Sequence, residues 1–134
     1  MIEAVEAFSV KSFPSTIIPA NVSVESRLTP IISEYLEKII SKKRISDFLS
    51  TGATYSHQLN ILLPLLTTFE EFPTMPDFLR GNLNLLRNLR NQLAHEGKLK
   101  NIDKSTISTL LCSATFGLTY LNILEKHLKT KSKK

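Results

Sequence analysis

From residue 29 onward, apolar residues recur at helical spacing. Ile31, Ile32, Tyr35, Leu36, Ile39 and Ile40 form one stripe, with Ser33, Glu34, Glu37 and Lys38 left on the other side. Thr29 and Pro30 stand in front of it as an N-cap and a first helical residue, since a proline there gives up an N–H that has no intrahelical partner anyway. The phase slips at Lys42-Lys43-Arg44 and resumes with Ile45, Phe48 and Leu49 before Gly52, which predicts one helix with a defect, or two. A second helix is predicted from about Thr54 to Phe69 on Tyr55, Leu59, Leu62, Leu63 and Leu66, with a kink at Pro64. Glu70 to Pro76 is a loop. A third helix opens near Pro76-Asp77, carries Phe78, Leu79, Leu83, Leu86, Leu89 and Leu93 as its apolar set, and stops at Gly97. The fourth and longest runs from about Lys104 to Lys129, capped by Asp103 or Ser105, with a near-heptad stripe of Ile107, Leu111, Ala114, Leu118, Leu121 and Leu128.

Residues 1–28 lack such a pattern. Ile2 to Val10 has the makings of a short helix, but Pro14, Pro19 and the alternation Val22-Ser23-Val24 predict extended chain. The expected organisation is an N-terminal arm over 1–28, partly extended and packed on the domain, a helical bundle domain over 29–129, and a basic tail over 130–134. No repeat and no β-hairpin interrupts the bundle region. The expected fold is all-α, an antiparallel bundle of four to five helices.

Composition narrows the class. The 134 residues suit one domain, and 42% hydrophobic content is ample for a core. A single cysteine, Cys112, excludes an internal disulfide framework and a Cys-rich zinc site, and near-core burial is the expectation for it. Acids at Glu3 and Glu6 stand where a secretory leader carries bases. The longest uninterrupted apolar run is six residues, Ile61 to Leu66, against roughly 18 for a membrane span. A cytoplasmic protein with no membrane partner is expected. The formal net charge of +5 is local: Lys126, Lys129, Lys131, Lys133 and Lys134 are five of the 17 bases, and without them the body carries equal numbers of bases and acids. Inside the body, Arg80, Arg87, Arg90, Lys98, Lys100 and Lys104 are opposed only by Glu96 and Asp103.

The familiar catalytic patterns are absent: there is no Gly-rich phosphate loop, no His-Glu-x-x-His and no paired cysteine. Of the three histidines, His127 falls in the lysine-rich helix end, where a solvated ring is expected, and His57 lies in the first turns of the second helix, where it suits a capping or surface role. The third, His95, closes the segment Leu86-Arg87-Asn88-Leu89-Arg90-Asn91-Gln92-Leu93-Ala94-His95-Glu96-Gly97. Arg87, Asn91 and His95 are four apart and share a helix face with about 40° of drift per step, whereas Arg90 and His95 are five apart and diverge by about 140°. A plain surface helix accounts for arginines and for a histidine at the negative end of the helix dipole. It does not account for Asn88 and Asn91 in mid-helix, where Lys, Gln or Glu would favour the helix more. A residue titrating near neutrality beside fixed cations is the minimal set for moving a proton next to a phosphate.

Arg90-Asn91-Gln92-Leu93-Ala94-His95 resembles the signature of HEPN domains (higher eukaryotes and prokaryotes nucleotide-binding), an Arg followed by a polar residue and, a few residues on, a His at the end of a bundle helix. The local match covers roughly Leu83 to Gly97. The resemblance implies a HEPN-like helical bundle and a metal-independent endoribonuclease that cleaves RNA through its 2′-hydroxyl, often a toxin or defence effector, without cofactor or metal, and active as a homodimer with both signatures in one cleft. It implies His95 as general acid or base, Arg90 as the residue holding the scissile phosphate, and Asn91 as the residue orienting either. Arg87, Gln92 and Lys98 are auxiliary candidates for binding RNA phosphate. An antitoxin or regulatory protein is a further partner of such effectors. Many toxins of the family carry Tyr two residues after the His, where a partner enzyme modifies it; that position is Gly97 here. The alternative function is a non-catalytic dimer of the same fold serving as a regulatory, nucleotide-binding or partner-binding module.

Overall fold

Where the prolines and the Val22-Ser23-Val24 alternation predict an extended arm, the chain is helical. The computed structural model describes residues 1–9, 14–98 and 102–132, and no strand occurs among them. Helix α1 spans Ile2–Ser9 and α2 spans Pro14–Leu36. Helix α3, Lys42–Asp47, runs on as a π-helical turn over Phe48–Gly52. Helix α4, Tyr55–His57, passes through a second π-helical turn, Gln58–Leu62, into α5, Leu63–Phe69. Helices α6, Asp77–Glu96, and α7, Lys104–Ser132, complete the chain. The all-α expectation holds. The boundary expected at residue 29 does not: Thr29 and Pro30 lie inside α2, and Thr29 Oγ1 donates to Gln58 Oε1 at 2.8 Å instead of capping a helix.

Pro19 and Pro30 each cost α2 a hydrogen bond and a steric clash, about 3 kcal/mol apiece. Against this the helix buries Ile17, Ala20, Val24, Leu28, Ile31 and Ile32 almost completely. At roughly 1.5–3 kcal/mol for each large side chain, burial outweighs both prolines. Pro14 begins the helix, the position at which proline costs nothing. Pro64 is accommodated differently. The turn preceding it is widened, with the Leu63 N–H reaching back five residues to the Gln58 carbonyl. The wider turn moves the carbonyls that the pyrrolidine ring would otherwise strike.

The chain divides into two compact units, each described by itself. The first comprises Met1–Val24 and Asp77–Thr119. Its α6 and α7 are joined by a short connection, yet Asn82 Nδ2 still donates to Ser113 Oγ at 2.9 Å, and Leu83 packs where Gly117 leaves room. Contact so far from the connection requires the two helices to run antiparallel. Asp103 caps α7, its Oδ1 accepting the Thr106 N–H at 2.8 Å. In the same unit the chain's amino group donates to Ser23 Oγ, which donates in turn to the Pro19 carbonyl, both at 2.7 Å.

The second unit comprises Glu25–Pro76 and Tyr120–Lys134. Arg27 bridges Asn122 and Glu125, while Glu70 takes Tyr35 Oη at 2.6 Å and Lys131 Nζ at 3.0 Å on its two oxygens. The Tyr35 hydroxyl, half-buried and donating to a carboxylate, is pushed up to about 12 by desolvation and by that carboxylate. Residues 130–132 therefore belong to α7, and Lys131 is an ion-pair partner rather than part of a free tail; Lys133 and Lys134 lie outside the described residues. His127 is not solvated either. Its ring lies 5.1 Å from that of Phe72, and its Nε2 is buried. His57 does sit at the surface, sharing a hydrogen bond with Thr54 Oγ1.

Within α7 the buried seam is Ile107, Leu110, Ala114, Gly117, Leu121 and Leu124, a strict three-four alternation. Leu111, Leu118 and Leu128 flank it half-buried, so the stripe read from the sequence is shifted at those three positions. Cys112 is exposed, not near the core. Helix α7 is long and apolar enough to cross a membrane by length and composition, and its seam is buried within the protein.

Candidate functional site at the end of helix α6

Helix α6 carries all the residues of the signature. Asp77 in its first turn suits the positive end of the dipole and holds Arg80 at 3.0 Å. Leu79, Leu83, Leu86 and Leu89 are buried and fix the helix rotation. At the far end Gly97 adopts φ +72°, and its N–H donates to the Leu93 carbonyl at 2.9 Å. That left-handed residue stops the helix one position past Glu96 and leaves His95 in its last turn.

Because Leu86 and Leu89 face the core, the polar residues around them take the flanks. Arg90 is half-buried and its Nη1 donates to Asn91 Oδ1 at 3.1 Å. Arg87 is half-buried as well; its Nη2 reaches Asn84 Oδ1 only at 3.4 Å, and its Nε is buried without a partner among the described residues. Asn91 and Gln92 are half-buried, and His95 and Lys98 are exposed. Lys100, in the basic cluster of the sequence, lies outside the described residues.

The single chain therefore brings Arg90 and Asn91 together and sets Arg87, Asn91 and His95 along one flank. It does not bring Arg90 to His95. The helix is unbroken from Asp77 to Glu96, so the two side chains leave it about 140° apart.

Two features were not drawn from the sequence. Arg87 and Arg90 have no acidic partner among the described residues, whereas Arg27 pairs with Glu125 and Arg80 with Asp77. Phe78, assigned above to the apolar face, is 68% exposed. It begins a series at three-four spacing, Phe78, Gly81, Leu85, Asn88, Gln92 and His95, exposed throughout except for the half-buried Gln92. A Cβ placed on Gly81 would meet nothing within 4 Å, so no packing within the chain explains a glycine there.

No group of three or more His, Cys, Asp or Glu residues is positioned to hold a metal ion among the described residues. Compared with protein-family profiles, curated proteins and solved structures, the chain finds no match.

Proposed function

We propose that the protein is a metal-independent endoribonuclease with a HEPN-like bundle, active as a homodimer, and that RNA supplies the anion its arginines lack. The observation that carries this reading is the state of Arg87 and Arg90. Two half-buried guanidiniums, Arg90 in the signature and Arg87 just before it, bond only to neutral asparagine oxygens among the described residues, while Arg27 and Arg80 are ion-paired and Arg44 is exposed. A half-buried cation without a counter-ion is costly, and a phosphate is the bidentate partner for which a guanidinium fork is shaped.

Because one helix points Arg90 and His95 apart, the reading needs the second copy of α6. With the helices near a two-fold axis, His95 of each protomer borders one cleft and the guanidiniums of both border the same phosphate. The exposed Phe78 and Leu85, with Gly81 between them, supply an apolar stripe on the same face as His95. In the reaction one His95 takes the proton of the RNA 2′-hydroxyl as its oxygen attacks phosphorus, and the other returns a proton to the departing 5′-oxygen. The products are a 2′,3′-cyclic phosphate and a 5′-hydroxyl. Arg90 neutralises the charge developing on the non-bridging oxygens, Asn91 holds Arg90, and Arg87, Gln92 and Lys98 bind flanking phosphates. A role as toxin or defence effector in the cytoplasm, with an antitoxin or regulator as partner, belongs to this proposal.

The test is incubation of purified protein with mixed RNA, with and without excess EDTA, beside His95→Ala. Cleavage that survives chelation, leaves a cyclic phosphate, spares DNA and disappears in the variant is the expected result. Loss of activity with EDTA, or equal cutting of DNA, would remove the mechanism. The 140° divergence within a protomer favours the second reading, a non-catalytic dimer of this fold. RNA that binds but is never cleaved, by wild type and variant alike, identifies that case.

A further inference from the structure

In the second unit, helices α2 and α5 leave an apolar groove of about 340 Å³ between them. Its walls include Ile32, Leu36 and Ile39 on one side and Leu62, Leu66 and Phe69 on the other. Beside it stands a ridge. Ile61, Leu65 and Phe69 follow one another four residues apart and are 57%, 63% and 77% exposed, with Ile39 at 72% across the groove. Single exposed apolar residues are ordinary, but a ridge lying along an apolar groove is not.

From this geometry we infer that the groove is filled by a second copy of the chain, α5 crossing α5 about a two-fold axis at Leu65. Three observations select this occupant. The ridge is a series of residues four apart, and such series interdigitate with their own kind in the commonest class of helix packing. A two-fold axis sets Leu65 against its own copy and Ile61 against Phe69 of the other, so each ridge enters the other's groove and the patch is complementary to itself. The area is of the right order. With large apolar side chains presenting ~150–250 Å² when fully bare, Ile39, Ile61, Leu65 and Phe69 at their observed exposures contribute roughly 400–670 Å² per copy. That is half or more of the ~800 Å² per partner in a stable interface, with the groove walls adding to it.

Charge argues against a foreign helix. The ridge itself carries no charged residue, and the groove's α2 edge offers both signs, Glu37 and Lys38. A strongly acidic or basic partner would find no complementary stripe, whereas a two-fold axis through an uncharged ridge opposes no like charges. The contact is independent of the pairing of α6 proposed above.

Sedimentation at micromolar concentration tests it. Leu65→Glu and Phe69→Glu each place a carboxylate in the contact, and each is expected to halve the assembly's mass while leaving helical content unchanged, since both positions are exposed. A cross-link avoids any question of folding. In a Cys112→Ser background, Leu65→Cys should form an intermolecular disulfide rapidly under mild oxidation, and Ser46→Cys, also exposed, should not. Unchanged mass in both glutamate variants, or cross-linking at 65 no faster than at 46, overturns the inference.

Discussion

Helix α6 contains one glycine and is ended by another, and the same added methyl should change stability in opposite directions at the two. Gly97 holds φ +72°, and a Cβ there would touch nothing within 4 Å. The penalty for Gly97→Ala is thus purely conformational, roughly 1–2 kcal/mol for an L side chain held in the left-handed region. Gly81 also has empty space around its missing Cβ, but it lies in the helix interior. There alanine loses less backbone entropy on folding, and Gly81→Ala should gain about 0.5–1 kcal/mol. At about 4 °C per kcal/mol for a chain of this size, the melting temperatures of the two variants should lie several degrees apart on either side of wild type. Urea unfolding of dilute protein, where association does not contribute, is the assay. Equal shifts of the same sign would show that the ends and middle of α6 are not set by these backbone conformations. Repeating the measurement at high concentration extends the test. If α6 pairs across a two-fold axis, the methyl at Gly81 holds the partner helix off, so the variant is the more stable monomer and the weaker dimer.

His95→Ala should leave stability within about 0.5 kcal/mol of wild type, since the ring is exposed, while Arg90→Ala should cost about 1 kcal/mol through its half-buried stem; a circular-dichroism melt separates a catalytic loss from an unfolded variant. Glu70 is held below the ordinary carboxylate range first by the Tyr35 hydroxyl and then by Lys131. Its contribution is therefore complete above the unfolded-state value and lost as pH falls through the folded one, so Glu70→Gln should destabilise at neutral pH by about 1–3 kcal/mol and flatten the acid limb of a pH–stability curve. At the alkaline end Tyr35 and Tyr120, both raised to about 12 chiefly by burial, should cost stability as pH rises from 10 toward 12, and Tyr35→Phe should weaken that dependence. Gly117→Ala should destabilise, because its Cβ would meet Leu83 Cδ1 at 3.2 Å and the fully buried Leu83 would have to shift to admit it; an unchanged urea midpoint would contradict that.

What could be read from the residues divides by the range of the forces involved. Helices α6 and α7 were legible because their signals are local: Asp103 as a cap, Gly97 as a stop, leucines at three and four. Helix α2 was not, because Pro19 and Pro30 dominate any local reading, while the burial of Ile17, Val24, Leu28 and Ile32 that overrides them depends on partners distant in sequence. The stripe of α7 was misplaced by one residue at Leu111 and Leu118 for another reason. Leu110 and Leu111 are adjacent and both apolar, so spacing alone admits two seams, and packing at Gly117 and Leu83 decides between them. His127 was missed similarly, since the ring of Phe72 that shelters it comes from a different part of the chain.

The candidate site was more legible than the fold around it. Its key property, two arginines without acids, is written in the spacing of one helix. Side chains on a helix meet at three and four residues, and the neighbours of Arg87 at those distances are Leu83, Asn84, Arg90 and Asn91. Those of Arg90 are Leu86, Arg87, Leu93 and Ala94. No carboxylate is within reach on the helix, whereas Arg80 has Asp77 three residues before it and takes it. What the sequence left open was whether another helix supplied an acid, and among the described residues none does. The side chains that leave these guanidiniums without acid are asparagines, which accept a hydrogen bond from the fork, hold it in place and leave its charge intact. Replacing Asn84 or Asn91 by aspartate would supply the missing anion from within, so either substitution should weaken RNA binding more than alanine at the same position. If aspartate and alanine prove equivalent in an RNA-binding titration, the unneutralised charge is not what binds, and the functional reading loses its principal support.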